Sequence, residues 1–261
     1  MIWTRFVMSP KQRPSAEQRL LRNDIPLLSR RSLTVLLATA LAAPALPARA
    51  APLPPLAVFG DSQAEGVAVA LRQARRRYPD LRVQNCARAG SAISQAAAYD
   101  WPAAIRTYTA TAQGGVAIMF FGGNDRLPIR LAGERPVQFR SDAWRGLYMA
   151  RVTAMLETLR GAGIGVLWLG QPVARDGVYS HDMAYLNGIY QDMVQAAGGT
   201  FVPLWSVVAD AAGHYVSHGR SLEGREERMR LDDGIHFTPA GYALIAERVM
   251  QTLTAGNAAG I

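Results

Sequence analysis

Residues 116–121 form the uninterrupted apolar run Val-Ala-Ile-Met-Phe-Phe, which constrains the fold more than any other segment of the chain. Six consecutive apolar residues cannot alternate between a core and water, so the run predicts a strand that is buried on both faces. Residues 164–169 have the same character. Strands of this kind are typical of parallel sheets that have helices on both sides.

Strand and helix patterns alternate along the chain after residue 50. The predicted strands are residues 56–59, 81–86, 116–121, 164–169 and 200–204. Pro203 places the last strand near an edge of the sheet, because proline cannot donate to a neighbouring strand. The predicted helices are residues 62–78, 96–112 with an interruption at Pro102, 143–160, 181–197, and 239–253 with Thr238 as its N-cap. This alternation predicts an α/β fold, with one domain and five strands in a parallel sheet between two helical layers.

Residues 1–50 have the pattern of an export signal. The twin-arginine pair Arg30-Arg31 precedes an apolar stretch at residues 33–46, and Ala48-Arg49-Ala50 follows as a small-x-small cleavage site. The stretch is too short for a stable membrane anchor. We therefore predict a twin-arginine signal in 1–50 and a folded domain in 51–261 that the twin-arginine machinery exports to the periplasm or beyond, with no stable membrane span after cleavage. An uncleaved interfacial helix is the alternative, and translation could start at Met1 or Met8.

Charge and cysteine content narrow the classes of function. The chain has 28 Lys and Arg against 20 Asp and Glu. Residues 1–50 contain eight of the basic and two of the acidic residues, which leaves 20 and 18 in residues 51–261, a net charge of +2. This balance gives little support to nucleic-acid binding, and the basic run 75–77 is predicted as a solvated helix face.

Cys86 is the only cysteine, which excludes an intramolecular disulfide; its apolar strand pattern predicts a buried, inert thiol.

Four polar segments lie just after predicted strands or just before the last predicted helix. They are Gly60-Asp61-Ser62, Gly90, Gly122-Gly123-Asn124-Asp125 and Asp233-Gly234-Ile235-His236. Ligands of open α/β sheets bind at the carboxyl ends of the strands, so these segments belong to the edge where a site is expected. Each segment alone is also compatible with an ordinary turn or helix cap.

Together the segments supply the groups of a serine hydrolase. Ser62 can act as nucleophile, His236 as its base, and Asp233 as the carboxylate that orients the imidazole. Asp232 is a second candidate for the carboxylate, but the three-residue offset favours Asp233. The amide of Ser62, at the start of a helix, is free to hold an oxyanion. Gly90 and Asn124 could add a backbone and a side-chain donor.

These motifs, in this order, resemble those of the SGNH hydrolases, also called the GDSL esterase/lipase superfamily, over almost all of residues 51–261. The resemblance implies a three-layer α/β/α sandwich of flavodoxin-like type with a five-stranded parallel sheet. It also implies a Ser62–His236–Asp233 triad and an oxyanion hole formed by the Ser62 and Gly90 amides and the Asn124 side chain. Gln63 stands where the family usually has leucine. The flanking sequence resembles a bacterial exported subgroup with poorly defined substrates.

The expected function is that of an exported serine esterase that cleaves a short acyl ester on a small molecule or on an envelope or extracellular glycan, without a cofactor or metal. His214 and His218 have the spacing of a metal pair, but flanking glycines and the lack of a zinc motif favour a loop. One alternative is a periplasmic O-acyltransferase that uses the same triad and a sugar hydroxyl. A second is a non-catalytic glycan-binding module, in which Trp101, Trp144 and Arg140 could line a sugar cleft, although aromatic residues at such positions are more often part of the core.

Overall fold

The computed structural model describes residues 52–258. The export signal predicted in residues 1–50 lies outside the described residues and stays a prediction. Among residues 52–258, no helix is both long enough and apolar enough to cross a membrane.

Five strands form one parallel sheet in the order β2-β1-β3-β4-β5. The strands are β1 Leu56–Gly60, β2 Val83–Asn85, β3 Val116–Phe120, β4 Gly165–Leu169 and β5 Thr200–Val202. The central pair, β1 and β3, runs in register from Leu56 opposite Val116 to Gly60 opposite Phe120. The predicted five-stranded parallel sheet is confirmed, and β5 is an edge strand that ends before Pro203, as the missing N–H of proline requires.

Five helices cover the two faces of the sheet. They are α1 Ser62–Gln73, α2 Trp101–Thr109, α3 Asp142–Gly161, α4 Gly177–Ala196 and α5 Pro239–Ala258. Side chains alternate along β1, so that Leu56 and Val58 pack with α1 and α5, while Ala57 and Phe59 pack with α2, α3 and α4. The three-layer α/β/α sandwich is therefore confirmed, with one apolar core on each side of the sheet.

Two helices begin at other residues than the sequence pattern predicts, and local capping explains both. Helix α2 begins at Trp101 because the Asp100 side chain accepts the Ala103 amide at 3.0 Å. Pro102 lies in the first turn, where its missing N–H costs nothing, so the predicted interruption is wrong. Helix α4 begins at Gly177 because the Asp176 side chain accepts the amide of the third helical residue at 2.6 Å.

A small antiparallel hairpin was not predicted from the sequence. It pairs β6, His218–Arg220, with β7, Glu226–Arg228, and it precedes the segment that contains Asp233 and His236. Its three-residue strands are too short and too polar to give an alternating pattern. His218 lies in β6, and within residues 52–258 no three His, Cys, Asp or Glu side chains group in a way that could hold a metal ion.

Cys86 lies just after β2 and is half-buried, so its predicted place in a strand is wrong. The thiol packs against the core between the sheet and α2. Burial raises the pKa of the Cys86 thiol, which agrees with an unreactive cysteine.

Candidate active site

Ser62 is the first residue of α1 and comes two residues after the end of β1, the neighbour of the central strand β3. Gly60 ends the strand with a φ of +145°, and a Cβ at this position would lie 1.9 Å from the Phe120 carbonyl oxygen, so only glycine fits. Asp61 then caps the helix, since its Oδ1 accepts the Gln63 amide at 2.9 Å. The chain thus places Ser62 at the carboxyl edge of the sheet.

The side chains of Ser62, His236 and Asp233 form one chain of hydrogen bonds. Ser62 Oγ lies 2.7 Å from His236 Nε2, and His236 Nδ1 lies 2.6 Å from Asp233 Oδ2. The hydrogen bond at Nδ1 leaves Nε2 as the ring nitrogen that can take the serine proton. The structure therefore brings together three residues that the sequence separates by up to 174 positions.

The Asp233 carboxylate also organises the backbone of its own loop. Its Oδ1 accepts the amides of Ile235 and His236, at 2.8 and 2.9 Å. Partial burial works against ionisation of this carboxyl, but these amides and the His236 ring outweigh it and lower the pKa of Asp233 below its ordinary value. The other candidate, Asp232, turns its exposed carboxylate to Arg228. The geometry thus agrees with the three-residue offset from His236.

Two arginines hold the loop that contains Asp233 and His236. Arg175, after β4, donates from its amide to Gly234 O at 3.1 Å and from Nη1 to Asp232 O at 2.8 Å. Arg230 donates from Nη1 to Ile235 O at 3.0 Å. Arg175 thus attaches the loop to the segment after β4, and Arg230, which lies in the loop itself, connects two parts of its backbone.

Arg230 is fully buried, with a relative exposure of 0%, and sequence reasoning missed it. Its guanidinium lies over the Phe237 ring, 3.8 Å from the centroid, and also donates to Val173 O. Burial lowers the pKa of Arg230 to about 10, which still leaves the group charged at neutral pH. A single arginine outside any motif gives no signal in the sequence that it is buried.

Two of the predicted oxyanion donors, Gly90 and Asn124, lie on loops that contact each other. The loop after β2 is attached to the end of β1, because the Arg88 amide donates to Gly60 O at 2.8 Å. Gly90 follows with a φ of +70°, and a Cβ there would meet no atom within 4 Å, so its surroundings are open. Asn124, after β3, donates from Nδ2 to Ser91 O at 3.1 Å. Asn124 and the Gly90 loop therefore meet at the edge where Ser62 lies.

Gln63 is almost fully buried and belongs to a chain of amide groups behind Ser62. Its Nε2 donates to Gln171 Oε1 at 3.1 Å, and Gln171 Nε2 donates to Phe121 O at 2.8 Å. The Asn187 side chain completes the chain, because its Oδ1 accepts the backbone N–H of Gln171 at 2.7 Å. Gln63, which stands where the SGNH hydrolases usually have leucine, therefore makes hydrogen bonds that a leucine could not make. These bonds connect α1 with the loop after β4 and, through Asn187, with α4.

Two carboxyl groups are buried close to the triad. Asp61 and Asp125 have relative exposures of 2% and 1%. Burial raises the pKa of Asp61 to about 7, against the opposing effect of the Gln63 amide. Burial also raises the pKa of Asp125 to about 6, although its Oδ1 accepts the Ser94 amide at 2.7 Å. Asp125 Oδ2 has no hydrogen-bond partner among the described residues.

The idea that Trp101 and Trp144 line a sugar cleft is wrong. Both rings are core residues with relative exposures of 1% and 0%. Their indole N–H groups donate internally, to Ser91 Oγ and to the Leu127 carbonyl. Arg140 is partly exposed and lies 3.2 Å from the Asp182 carboxylate.

Comparison with known proteins gives one matching family and a set of similar folds. A family model described as "Protein of unknown function (DUF459)" matches residues 55–252. The comparison with curated protein sequences gave no match.

Solved structures with a similar fold include three chains of low sequence identity. TesA has a TM-score of 0.51 at 20% identity, covering 76% of this chain and 97% of its own. A GDSL-like lipase from Bacteroides thetaiotaomicron has a TM-score of 0.53 at 14% identity, covering 77% and 88%. A catalytic mutant of Axe2, an acetylxylan esterase from Geobacillus stearothermophilus, has a TM-score of 0.56 at 13% identity, covering 78% and 96%. At these identities the likeness establishes the fold.

Proposed function

The chain belongs to the DUF459 family and has the fold of the SGNH hydrolases, and we propose that it is a serine esterase with Ser62 as nucleophile. The observation that supports this most strongly is the hydrogen-bonded series Ser62–His236–Asp233 at the carboxyl edge of the sheet. A serine hydroxyl becomes a competent nucleophile when an oriented imidazole can take its proton.

The proposed reaction has two halves that use the same groups. Ser62 Oγ attacks the ester carbonyl while His236 Nε2 takes its proton, and a tetrahedral oxyanion forms. The amides of Ser62 and Gly90 and Nδ2 of Asn124 stabilise that oxyanion. His236 then gives the proton to the leaving alcohol, which leaves an acyl group on Ser62. In the second half, His236 takes a proton from water as the water oxygen attacks the acyl carbonyl. The second tetrahedral intermediate then collapses, the bond to Ser62 Oγ breaks, His236 returns the proton to Oγ, and a carboxylic acid and free Ser62 result.

The proposed substrate is a short acyl ester on an envelope or extracellular glycan. The predicted export signal supports a substrate outside the cytoplasm. Axe2, which has a similar fold, is an acetylxylan esterase, and this supports an acyl group carried by a carbohydrate. The proposed location is the periplasm or the exterior. Arg30→Lys with Arg31→Lys should leave the precursor in the cytoplasm, whereas export of that variant would contradict the twin-arginine route.

Hydrolysis is favoured over acyl transfer by the exposure of the site. The side chains of His236 and Asp233 are 33% and 44% exposed, so water reaches the base directly. A transferase must keep water away from its acyl-enzyme. Incubation with an acetyl donor and a neutral oligosaccharide should give mainly free acetate, and transfer faster than hydrolysis would favour the acyltransferase instead.

The proposal is tested with purified protein and 4-nitrophenyl acetate. Ser62→Ala should lower kcat/KM by at least about 10³-fold, because both halves of the reaction need the hydroxyl. Ser206→Ala, at an exposed serine after β5, is the matched control and should keep the wild-type rate. Equal activity of wild type and Ser62→Ala would overturn the proposal. Glycan binding without any Ser62-dependent hydrolysis would favour a binding module.

A further inference from the structure

We propose that the molecule carrying the acyl group is a negatively charged glycan, which Arg88, Arg126 and Arg175 bind along the carboxyl edge of the sheet. This inference rests on the proposed function and makes its substrate more specific.

The three arginines follow three different strands at the edge where Ser62 lies. Arg88 comes after β2, Arg126 after β3 and Arg175 after β4. Hydrogen bonds connect two of them directly to the catalytic segments. The Arg88 amide donates to Gly60 O, two residues before Ser62, and the Arg175 guanidinium donates to the carbonyl of the residue before Asp233. We call the three arginines the arginine series. Its two outer members, Arg88 and Arg175, therefore lie beside the segments that contain the triad.

Each of the three guanidinium groups lies over a tyrosine ring. The pairs and their centroid distances are Arg88 on Tyr99 at 4.7 Å, Arg126 on Tyr179 at 4.9 Å, and Arg175 on Tyr215 at 5.6 Å. Stacking restricts the guanidinium plane and leaves N–H groups at its edge for oxygen ligands. Arginines held in this way are suited to carboxylate or phosphate groups, which they can bind through two parallel hydrogen bonds.

Of the three arginines, only Arg126 forms an ion pair with a carboxylate among the described residues. Asp182 lies 2.6 Å from Arg126 and 3.2 Å from Arg140, so two cations share one anion. Asp233 is bound to the catalytic imidazole. Neither Arg88 nor Arg175 forms an ion pair with any residue in the range 52–258. Positive charge at both ends of the series is thus available to a ligand.

The spacing of the arginines favours an extended anion. β2 and β4 are separated by β1 and β3, and three strand spacings of about 4.8 Å give roughly 14 Å between the two strands that Arg88 and Arg175 follow. A polymer with repeated charges fits arginines that start from strands so far apart better than a single phosphate or carboxylate does. A glycan is favoured over a nucleic acid because the proposed reaction needs an acylated hydroxyl and residues 51–261 have a net charge of only +2.

The test compares an O-acetylated polygalacturonate, which carries carboxylates, with a neutral O-acetylated glucan oligomer. Wild type should prefer the anionic carrier in kcat/KM, and raising the salt should weaken that preference. Arg88→Gln with Arg126→Gln should lower the preference ratio at least about 10-fold. Arg75→Gln with Arg76→Gln, two exposed arginines after the far end of α1, removes the same charge and should keep the ratio. If the double variant does not fold, Arg88→Gln alone replaces it in this comparison. The Arg88 guanidinium stacks on Tyr99 and forms no ion pair among the described residues.

A binding measurement separates this inference from the esterase proposal. Ser62→Ala protein should bind unacetylated oligogalacturonate in calorimetry, and the Arg88→Gln/Arg126→Gln changes in that background should weaken binding about 10-fold. Equal kcat/KM on both carriers, with Ser62-dependent hydrolysis retained, would overturn the inference and leave the esterase. Tighter binding of a single-stranded oligonucleotide than of oligogalacturonate would also overturn it. If no ester were hydrolysed, the proposed function would fail, and the calorimetry would still decide whether the arginines bind an anionic glycan.

Discussion

Among single residues, Asp233 has two roles, one for each oxygen of its carboxylate. One oxygen orients the His236 ring and the other accepts two backbone amides of the same loop. The charge of the carboxylate matters for the first role, because it stabilises the imidazolium that forms during the reaction. For the second role, an amide oxygen would serve nearly as well.

Asp233→Asn should therefore separate orientation of the base from stability of the loop. The asparagine can keep Oδ1 on the two amides, but its Nδ2 would face His236 Nδ1 and favour the wrong tautomer. We expect kcat to fall by about 10⁴-fold with little change in thermal stability, measured with 4-nitrophenyl acetate and by calorimetry. Asp232→Asn is the matched control and should keep full activity. A small loss at Asp233 and a large one at Asp232 would show that the neighbouring carboxylate is the acid.

The sequence predicted Ser62, His236 and Asp233 as partners because a fixed offset and the position after β1 restrict the choices. It did not predict the places of Gln63 and Arg230. The partners of Gln63 lie more than 100 residues away, and those of Arg230 are mostly backbone carbonyls. Contacts of this kind leave no local pattern, so only the folded chain can reveal them.

At the scale of elements, the site depends on how the segment between β7 and α5 is held. This segment contains Asp233 and His236 but makes no ladder with the main sheet, and an isolated bridge between Arg230 and Phe237 is its only strand-like pairing among the described residues. The buried guanidinium of Arg230 supplies hydrogen bonds that such a segment would otherwise lack. Side-chain contacts thus replace regular secondary structure here.

Arg230→Met should destabilise this segment and the whole domain. Methionine fills much of the volume, but it leaves the carbonyls of Ile235 and Val173 buried without a donor, at a cost of about 3 kcal/mol. We expect a lower free energy of unfolding in urea and a lower kcat. Arg225→Met, at a mostly exposed arginine of the same hairpin, should change neither. An unaltered free energy of unfolding for Arg230→Met would contradict the role assigned to Arg230.

Strands and helices were predicted well where apolar runs or caps were long enough to give a pattern. β3 and α3 begin and end within one or two residues of the prediction. The β6–β7 hairpin was missed because its six residues include glycine and charged side chains and have no buried face. The starts of α2 and α4 were misplaced because Asp100 and Asp176 cap these helices in segments where aspartate has no distinctive spacing.

For the whole molecule, two buried carboxyl groups near the candidate site make the free energy of unfolding depend on pH. Burial raises the pKa of Asp61 to about 7 and that of Asp125 to about 6, from an ordinary value of 3.8. Between the ordinary and the raised pKa the folded protein binds more protons than the unfolded chain. The contribution of these groups to the free energy of unfolding therefore falls as pH rises from about 4 to about 7.

Asp125→Asn should remove one part of this dependence. The variant keeps the shape of the side chain and its acceptor for the Ser94 amide but cannot ionise. Relative to wild type, its free energy of unfolding should increase between pH 4 and pH 6 by on the order of 2 kcal/mol, and the difference should stay constant above that range. Urea unfolding at several pH values measures it. A difference that does not vary with pH would show that folding leaves the pKa of Asp125 at its ordinary value.

The proposed mechanism depends on one covalent event, the transfer of an acyl group to Ser62. The direct measurement is peptide mass spectrometry of protein quenched with acid during turnover of 4-nitrophenyl acetate, together with the burst of nitrophenol. We predict an acetyl group on the peptide that contains Ser62, and a burst equal in amount to the protein. Hydrolysis that proceeds with Ser62 unmodified and with the acetyl group on another side chain would contradict the mechanism.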